Sequence, residues 1–355
     1  MSWQSIRGHD RIVDKFRRAL TKGRLASTFL FVGPAGIGKR TFALALAKAM
    51  LCERVSEEKL APCGECPSCL QVSSLNHPDV VVIQKPADKA FIPLEVLIGD
   101  AEHRMRAGLC YDIALKPFSG RRKIAILDDA DYLNKEGANC LLKTLEEPPP
   151  QSILILVGTS EQRQLPTIRS RCQIVRFAPL AENDVAELLV ERGICSDAEL
   201  ARSAAVSSHG SLERGAMWCD SSLGDFSQEL LKILSQPAFE APPAAKLIGQ
   251  FVDSAGKDSA AKRQRLRLVI SLAEEFFRAN LLAIEGGETP AGAELGRAVQ
   301  TTTKWISPDA PAACIDVCLD AYGHVDANAN QATLIEWWLD ELAQTMLGRT
   351  ASGPH

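Results

Sequence analysis

Between Gly33 and Thr41 the chain reads GPAGIGKRT, which is three glycines, a lysine, an arginine and a threonine. An apolar run, Phe29–Val32, precedes it and a helix-forming segment follows. Glycines let backbone N–H groups curl around phosphate oxygens. A helix N-terminus adds positive potential, and a lysine supplies a point charge. Gly33, Gly36, Gly38, Lys39, Arg40 and Thr41 are therefore the candidate nucleotide-binding residues of a P-loop. A loop that uses Mg²⁺ carries Ser or Thr directly after the lysine, where the hydroxyl holds the metal. Here Arg40 stands in that place and Thr41 comes one position late. ATP with Mg²⁺ is the expected cofactor of such a loop. At this point hydrolysis, binding alone and architecture alone all remain open.

Asp128-Asp129 ends a second apolar run, KIAIL. In P-loop proteins such an aspartate holds Mg²⁺, and Asp128 takes that position. The next residue is often a glutamate that polarises the attacking water. Asp129 is one methylene shorter, and a misplacement of about 1 Å can cost ~10²-fold in rate. The alternative is that both aspartates cap the following turn. Thr159 follows a third apolar run, ILILV, where a hydroxyl can sense a phosphate or cap a turn. Arg171, in RSRC, is either a surface charge or an arginine finger for a neighbour's nucleotide.

Cys52, Cys63, Cys66 and Cys69 form C-x10-C-x2-C-x2-C. Tetrahedral Zn²⁺ takes four thiolates, and tight CxxC turns put two sulfurs on one metal. No histidine intervenes and no ligand position is left open, so the expected zinc is structural. The other seven of the 11 cysteines are scattered and read as core residues.

These residues need a scaffold. Strands are expected at Val80–Ile83, Lys123–Leu127, Ile153–Val157 and Ile174–Phe177, besides the one before the loop. Helices are expected after Asp10 (as cap), from the loop to about Leu51, over Leu97–Met105, and over Asn134–Glu147, the last stopped by Pro148-Pro149-Pro150. Short, fully apolar strands alternating with helices predict a parallel sheet covered on both faces. Beyond about Pro179 the strands stop and only helical patterns remain, with breaks near Gly210-Ser211, Ser221–Gly224 and Gly286–Gly292. The chain of 355 residues is therefore divided into an α/β P-loop domain over 1–178 with a zinc module at 52–69, a helical lid over 179–222, an all-α domain over 223–349 and a disordered tail, 350–355. Net charge is −4, so nucleic-acid contact over the whole surface is not expected. Basic residues do gather between Lys85 and Lys123. No membrane span and no signal peptide are read, which gives a cytoplasmic expectation.

Taken together, GPAGIGK, the cysteine cluster, KIAILDDADYLN, ANCLLKTLEEPPP, the strand ending in Thr159, and Ser170-Arg171-Cys172 occur in the order found in bacterial clamp-loader subunits of the AAA+ class, which this chain resembles over about residues 5–178. His77-Pro78-Asp79 and the short length favour a branch other than the tau/gamma motor subunits. The resemblance implies an AAA+ module, a lid and a helical collar that joins tau/gamma and delta subunits in a hetero-pentamer. That assembly acts on the sliding clamp and on primer-template DNA. It also implies Thr159 as sensor 1 and Arg171 as an arginine finger acting in trans. A sensor-2 arginine would follow Gly210-Ser211-Leu212, where this chain has Glu213 with Arg214 one place late. Weak or absent ATPase activity in cis is the expectation, within a DNA polymerase III holoenzyme whose polymerase is another subunit. The competing expectations are an ATP-hydrolysing motor that uses Thr41 and a stand-alone P-loop phosphotransferase.

Overall fold

The computed structural model describes residue 3 and residues 6–86, 88–220, 223–287 and 293–348. Two compact units are present, Met1–Ala216 and Met217–His355. The expected tail at 350–355 and most of the expected break at 286–292 lie outside the described residues, as do residues 221 and 222 of the break at Ser221–Gly224.

The first unit is built on five parallel strands, β1 (Thr28–Val32), β2 (Val80–Ile83), β3 (Lys123–Leu127), β4 (Ser152–Val157) and β5 (Gln173–Arg176), in the order β2-β3-β4-β1-β5. Every residue of β1, β3 and β4 is buried, as parallel strands covered on both faces require. One face packs α1 (Asp10–Thr21) and α2 (Lys39–Leu51) around Phe16, Phe29, Phe31, Phe42 and Phe177. The other face packs α4 (Leu94–Ile98), α5 (Leu109–Ala114) and α6 (Lys135–Glu146). This is the α/β P-loop module expected of the AAA+ class. Three short helices, α8 (Glu182–Glu191), α9 (Ala198–Ser207) and α10 (Leu212–Trp218), follow β5. In the second unit, α11 (Leu223–Leu234), α12 (Ala241–Asp253), α13 (Ser259–Ile284), α14 (Ala293–Thr302), α15 (Ala310–Asp326) and α16 (Gln331–Met346) share one core centred on Phe276, Phe277 and Trp338. Among the described residues no helix is long and apolar enough to cross a membrane.

Local differences from the sequence expectation have physical causes. The helix expected over Leu97–Met105 ends at Ile98, because Gly99 adopts a φ of +82° and sits against the His103 carbonyl, where a Cβ would come within 2.4 Å. Asp10 is the first helical residue, not the cap; His9 holds that place and donates no side-chain cap. Four short helices escaped the pattern reading, α3 (Pro67–Ser73), α5, α7 (Pro166–Arg169) and α10. Of the seven cysteines read as core, Cys110, Cys195, Cys314 and Cys318 are buried, while Cys140, Cys172 and Cys219 are partly exposed.

His77-Pro78-Asp79 forms the expected turn before β2, closed by the Val80 N–H on the His77 carbonyl at 3.0 Å, and its His77 and Asp79 side chains are buried. The Asp79 carboxylate accepts the N–H groups of Phe118 and Ser119 at 2.7 and 2.8 Å and lies 3.6 Å from the Lys123 ammonium. Burial pushes its pKa up, but the Ser119 and Phe118 donors and Lys123 outweigh it and hold the group below 3.8. A carboxylate depressed in the folded state stabilises the fold at neutral pH, and that contribution is lost in acid. Asp79→Asn is expected to lower the unfolding free energy by about 1–3 kcal/mol at neutral pH. The gap between the two proteins closes as pH falls through the depressed pKa. Denaturant titrations at both pH values check this, and an equal midpoint at neutral pH contradicts it.

Candidate functional site

The carboxyl ends of β1, β3 and β4 open into a cavity of about 450 Å³ lined by the glycine loop, Asp128, Asp129, Asp131, Thr159 and Glu213. The loop between β1 and α2 brings Lys39, Arg40 and Thr41 to its wall. Gly36 has a φ of +72°, and a Cβ there would meet the Ser211 hydroxyl at 2.3 Å and the Glu213 Cβ at 2.6 Å. Glycine is therefore required twice at this position, for its backbone angle and for the close approach of α10. The Leu212 N–H donates to the Gly36 carbonyl at 3.0 Å, tying the start of α10 to the loop.

Lys39 is only 7% exposed. Its ammonium donates to the Gly33 and Pro34 carbonyls at 2.6 and 2.5 Å. Burial pulls its pKa from 10.5 to about 8 against the opposing charges of Asp131, Asp128, Glu213 and Asp129. Arg40 turns toward β3. Its Nε lies 3.6 Å from Asp128 Oδ2 and is buried without a hydrogen-bond partner. That distance is an ion-pair contact and not a hydrogen bond. Burial raises the Asp128 pKa, partly offset by the Asp129 N–H and by Arg40. Asp129 also lines the cavity, but its carboxylate accepts the Lys85 N–H at 3.3 Å and its backbone is left-handed, with φ 56°. Burial and the neighbouring Asp128 raise its pKa.

Thr159 is held by a residue the sequence reading missed. Its N–H and its hydroxyl donate to Asp131 Oδ2 at 2.8 and 2.6 Å, and the Gln164 amide donates to Asp131 Oδ1. Asp131 is the third carboxylate of DDAD, and the 3₁₀ turn at Ala130–Tyr132 aims it back at β4. The available signal was an acidic residue two places beyond a strand-end pair.

Arg171 is away from the cavity wall. Its backbone is fixed by the Thr28 hydroxyl, which donates to its carbonyl at 2.8 Å. Its guanidinium donates to Glu146 at 2.7 Å and to the Thr167 carbonyl at 3.0 Å. About a third of the side chain is exposed, and so is half of Glu146.

The four cysteines of the second cluster converge, with their sulfurs within 4.8 Å of one another. Cys52 ends α2, Cys66 caps α3 and Cys69 lies in its first turn. Backbone N–H groups of Cys63, Cys66 and Cys69 donate to the sulfurs of Cys52, Cys63 and Cys66. N–H donors, led by Glu65, pull the Cys63 thiol down to about 6, while burial pushes Cys69 up to about 12. Four buried or half-buried thiols with these opposed tendencies form a site that can hold a metal ion. A second layer braces it: Ser68 donates to Glu53 at 2.7 Å, and His77 lies 3.3 Å from the Ser68 hydroxyl. The basic cluster is divided in use. Arg122 pairs with Glu57 and Lys123 is buried beside Asp79, so neither offers a free charge.

Residues 8–181 match the family described as DNA polymerase III, delta subunit. Among curated relatives, the chain is 32% identical over 195 residues to the DNA polymerase III subunit delta' of Bacillus subtilis, covering 55% of each chain. It is 37% identical over 147 residues to the subunit of that name from Pseudomonas aeruginosa PAO1, covering 41% of this chain and 42% of that one. To the DNA polymerase III subunit tau of Bacillus subtilis it is 28% identical over 242 residues, which is 65% of this chain and 39% of that one. The chain spans about half the length of the curated delta' relatives it matches.

A lysine with a folded pKa near 8 binds fewer protons than the unfolded chain between pH 8 and 10.5, so stability rises across that window. We predict that the unfolding free energy of the protein gains up to about 3 kcal/mol from this residue between those limits. Lys39→Met should lack that gain and be the more stable of the two below pH 8. Parallel pH profiles by chemical denaturation for the two proteins give the test.

Proposed function

We propose that this chain, whose residues 8–181 belong to the DNA polymerase III delta-subunit family, is a delta-prime-type clamp-loader subunit that serves its neighbours more than itself. On this reading the all-α unit is a collar that joins tau/gamma and delta subunits, and the assembly places the sliding clamp on primer-template DNA.

The observation that carries the reading is the contrast between two arginines. Arg40 occupies the position of the metal-binding hydroxyl and pairs with Asp128, the carboxylate that would hold the metal. Asp129 is tethered to Lys85, and Glu213 stands where a sensor-2 arginine is wanted. Each feature weakens hydrolysis in cis. Arg171 keeps its place just before β5, with a guanidinium about a third exposed that is held by the half-exposed Glu146 carboxylate, the Thr167 carbonyl and the Ser170 hydroxyl. Exposed ion pairs are worth about 0–1 kcal/mol, so Arg171 can leave Glu146 at little cost. Presented to the nucleotide of an adjacent motor subunit, it would stabilise the charge that develops on the transferred phosphoryl group. Here the Thr159 hydroxyl is a sensor in position but not in use.

The motor reading keeps one observation in its favour: Thr41 lines the cavity. ATP turnover separates the two readings. The isolated chain should hydrolyse ATP at background rate. In a complex reconstituted with motor subunits, Arg171→Ala should lower the ATPase rate at least about tenfold while leaving the assembly intact on size-exclusion chromatography. Robust turnover by the isolated chain, or loss of assembly in the variant, contradicts the finger role.

Within the same proposal the four cysteines hold a structural Zn²⁺. Elemental analysis should find one zinc per chain. Cys66→Ser should lose it and lower the melting temperature by several degrees, with a loss of about 2–5 kcal/mol. Full zinc content in that variant would place the metal elsewhere.

A further inference from the structure

Two departures from a metal-dependent nucleotide site, Arg40 and Glu213, line the same cavity. In such sites Mg²⁺ sits between a hydroxyl at the position after the lysine and the strand-end aspartate. Here those two positions are Arg40 and Asp128, already joined as an ion pair with 3.6 Å between Nε and Oδ2. The cation's place therefore holds a guanidinium, and the residues present do not fit Mg²⁺. Arg40 Nε is buried and has no hydrogen-bond partner, so a donor is unspent at the mouth of the glycine loop. A phosphate oxygen is the acceptor that a guanidinium in a glycine loop is suited to receive.

Glu213 acts on the opposite end. Its Cβ lies against Gly36, and its charge acts on Lys39, the residue that in a P-loop reaches the terminal phosphates. The wall as a whole carries no positive excess, since Arg7, Lys39, Arg40 and Arg192 face Asp128, Asp129, Asp131 and Glu213. Arg7 is also engaged by Glu187 and Glu191. Without a metal to neutralise it, each added phosphate brings negative charge to a wall that has no positive excess to receive it.

We propose that this cavity binds a nucleoside diphosphate without a divalent cation, with Arg40 taking the metal's place on the phosphates and Glu213 excluding a third phosphate. The proposal rests on the nucleotide reading of the cavity and is independent of Arg171.

Isothermal titration of the full-length chain with ADP and with ATP, each in EDTA and in MgCl₂, tests it. The expected ADP affinity is the same within about threefold in the two buffers, and ATP binds at least about tenfold more weakly than ADP in EDTA. In Arg40→Thr, ADP affinity in EDTA should fall at least about tenfold, and Mg²⁺ should restore it. In Glu213→Gln the preference for ADP over ATP should shrink. The proposal is overturned by absence of ADP binding to the wild-type chain, by a Mg²⁺ requirement in that chain, or by ATP binding as tightly as ADP. The decisive comparison uses the wild-type protein alone, so a variant that fails to fold does not obscure it. A failure here leaves the finger test in the complex untouched, because that test reads the ATPase of other subunits.

Discussion

Parallel pairing of β1 with β4 and of β3 with β4 is the constraint from which the site follows. Phe31 lies opposite Val157 and Leu127 opposite Leu156, so the carboxyl ends of three buried strands stop at one level. Parallel strands must be joined by crossovers, which sends the glycine loop, the DDAD turn and Thr159 out along one edge of the sheet. Their side chains meet there without being neighbours in sequence. The side chains of β1, β3 and β4 are buried, and the cavity is lined by the loops and helices beyond them together with Val157 at the end of β4.

A second constraint follows at Gly36. The start of α10 approaches so closely that no side chain fits, and one backbone hydrogen bond from Leu212 fixes it. Helix α10 therefore lines the cavity with Leu212, Glu213 and Ala216, which belong to a segment of little apolar pattern. In a hydrolysing site this is where a cation would read the nucleotide's end. Here a carboxylate occupies the position, and the glycine loop beneath it is shaped by the contact.

How much of this was legible depends on the kind of signal. Strands β1, β3 and β4 and the helices α2 and α6 were readable because unbroken apolar runs and helical periodicity survive in one dimension. The convergence of Cys52 on Cys63, Cys66 and Cys69 was readable because the spacing of thiols reflects the turns that join them. Helices α3 and α10 were not, since each has 7 residues and its apolar face is too short to impose a period. Gly99 ended α4 where the apolar pattern ran on, because a backbone approach to the His103 carbonyl leaves no trace in hydropathy. Asp79 does lie in a turn, but the pairing of its carboxylate was not readable, because Phe118 and Ser119 are brought to it only by the pairing of β2 with β3.

Asp131 was the least legible and bears most directly on what Thr159 can do. A hydroxyl has one proton to give. Thr159 gives its proton to Asp131 at 2.6 Å, and its N–H goes to the same oxygen at 2.8 Å. What the hydroxyl turns toward the cavity is therefore lone pairs, which repel phosphate oxygens as Glu213 does. Replacing that contact would leave a half-buried carboxylate with one donor fewer, so the arrangement resists rearrangement by a weak ligand. Lys39 is held in the same way by two carbonyls of its own loop. With the Thr159 hydroxyl and the lysine engaged from within, the cavity has little free energy to gain from a changing phosphate beyond the one unspent donor at Arg40. That is the behaviour the proposed clamp-loader role asks of this chain, which would hold one shape while its neighbours turn over.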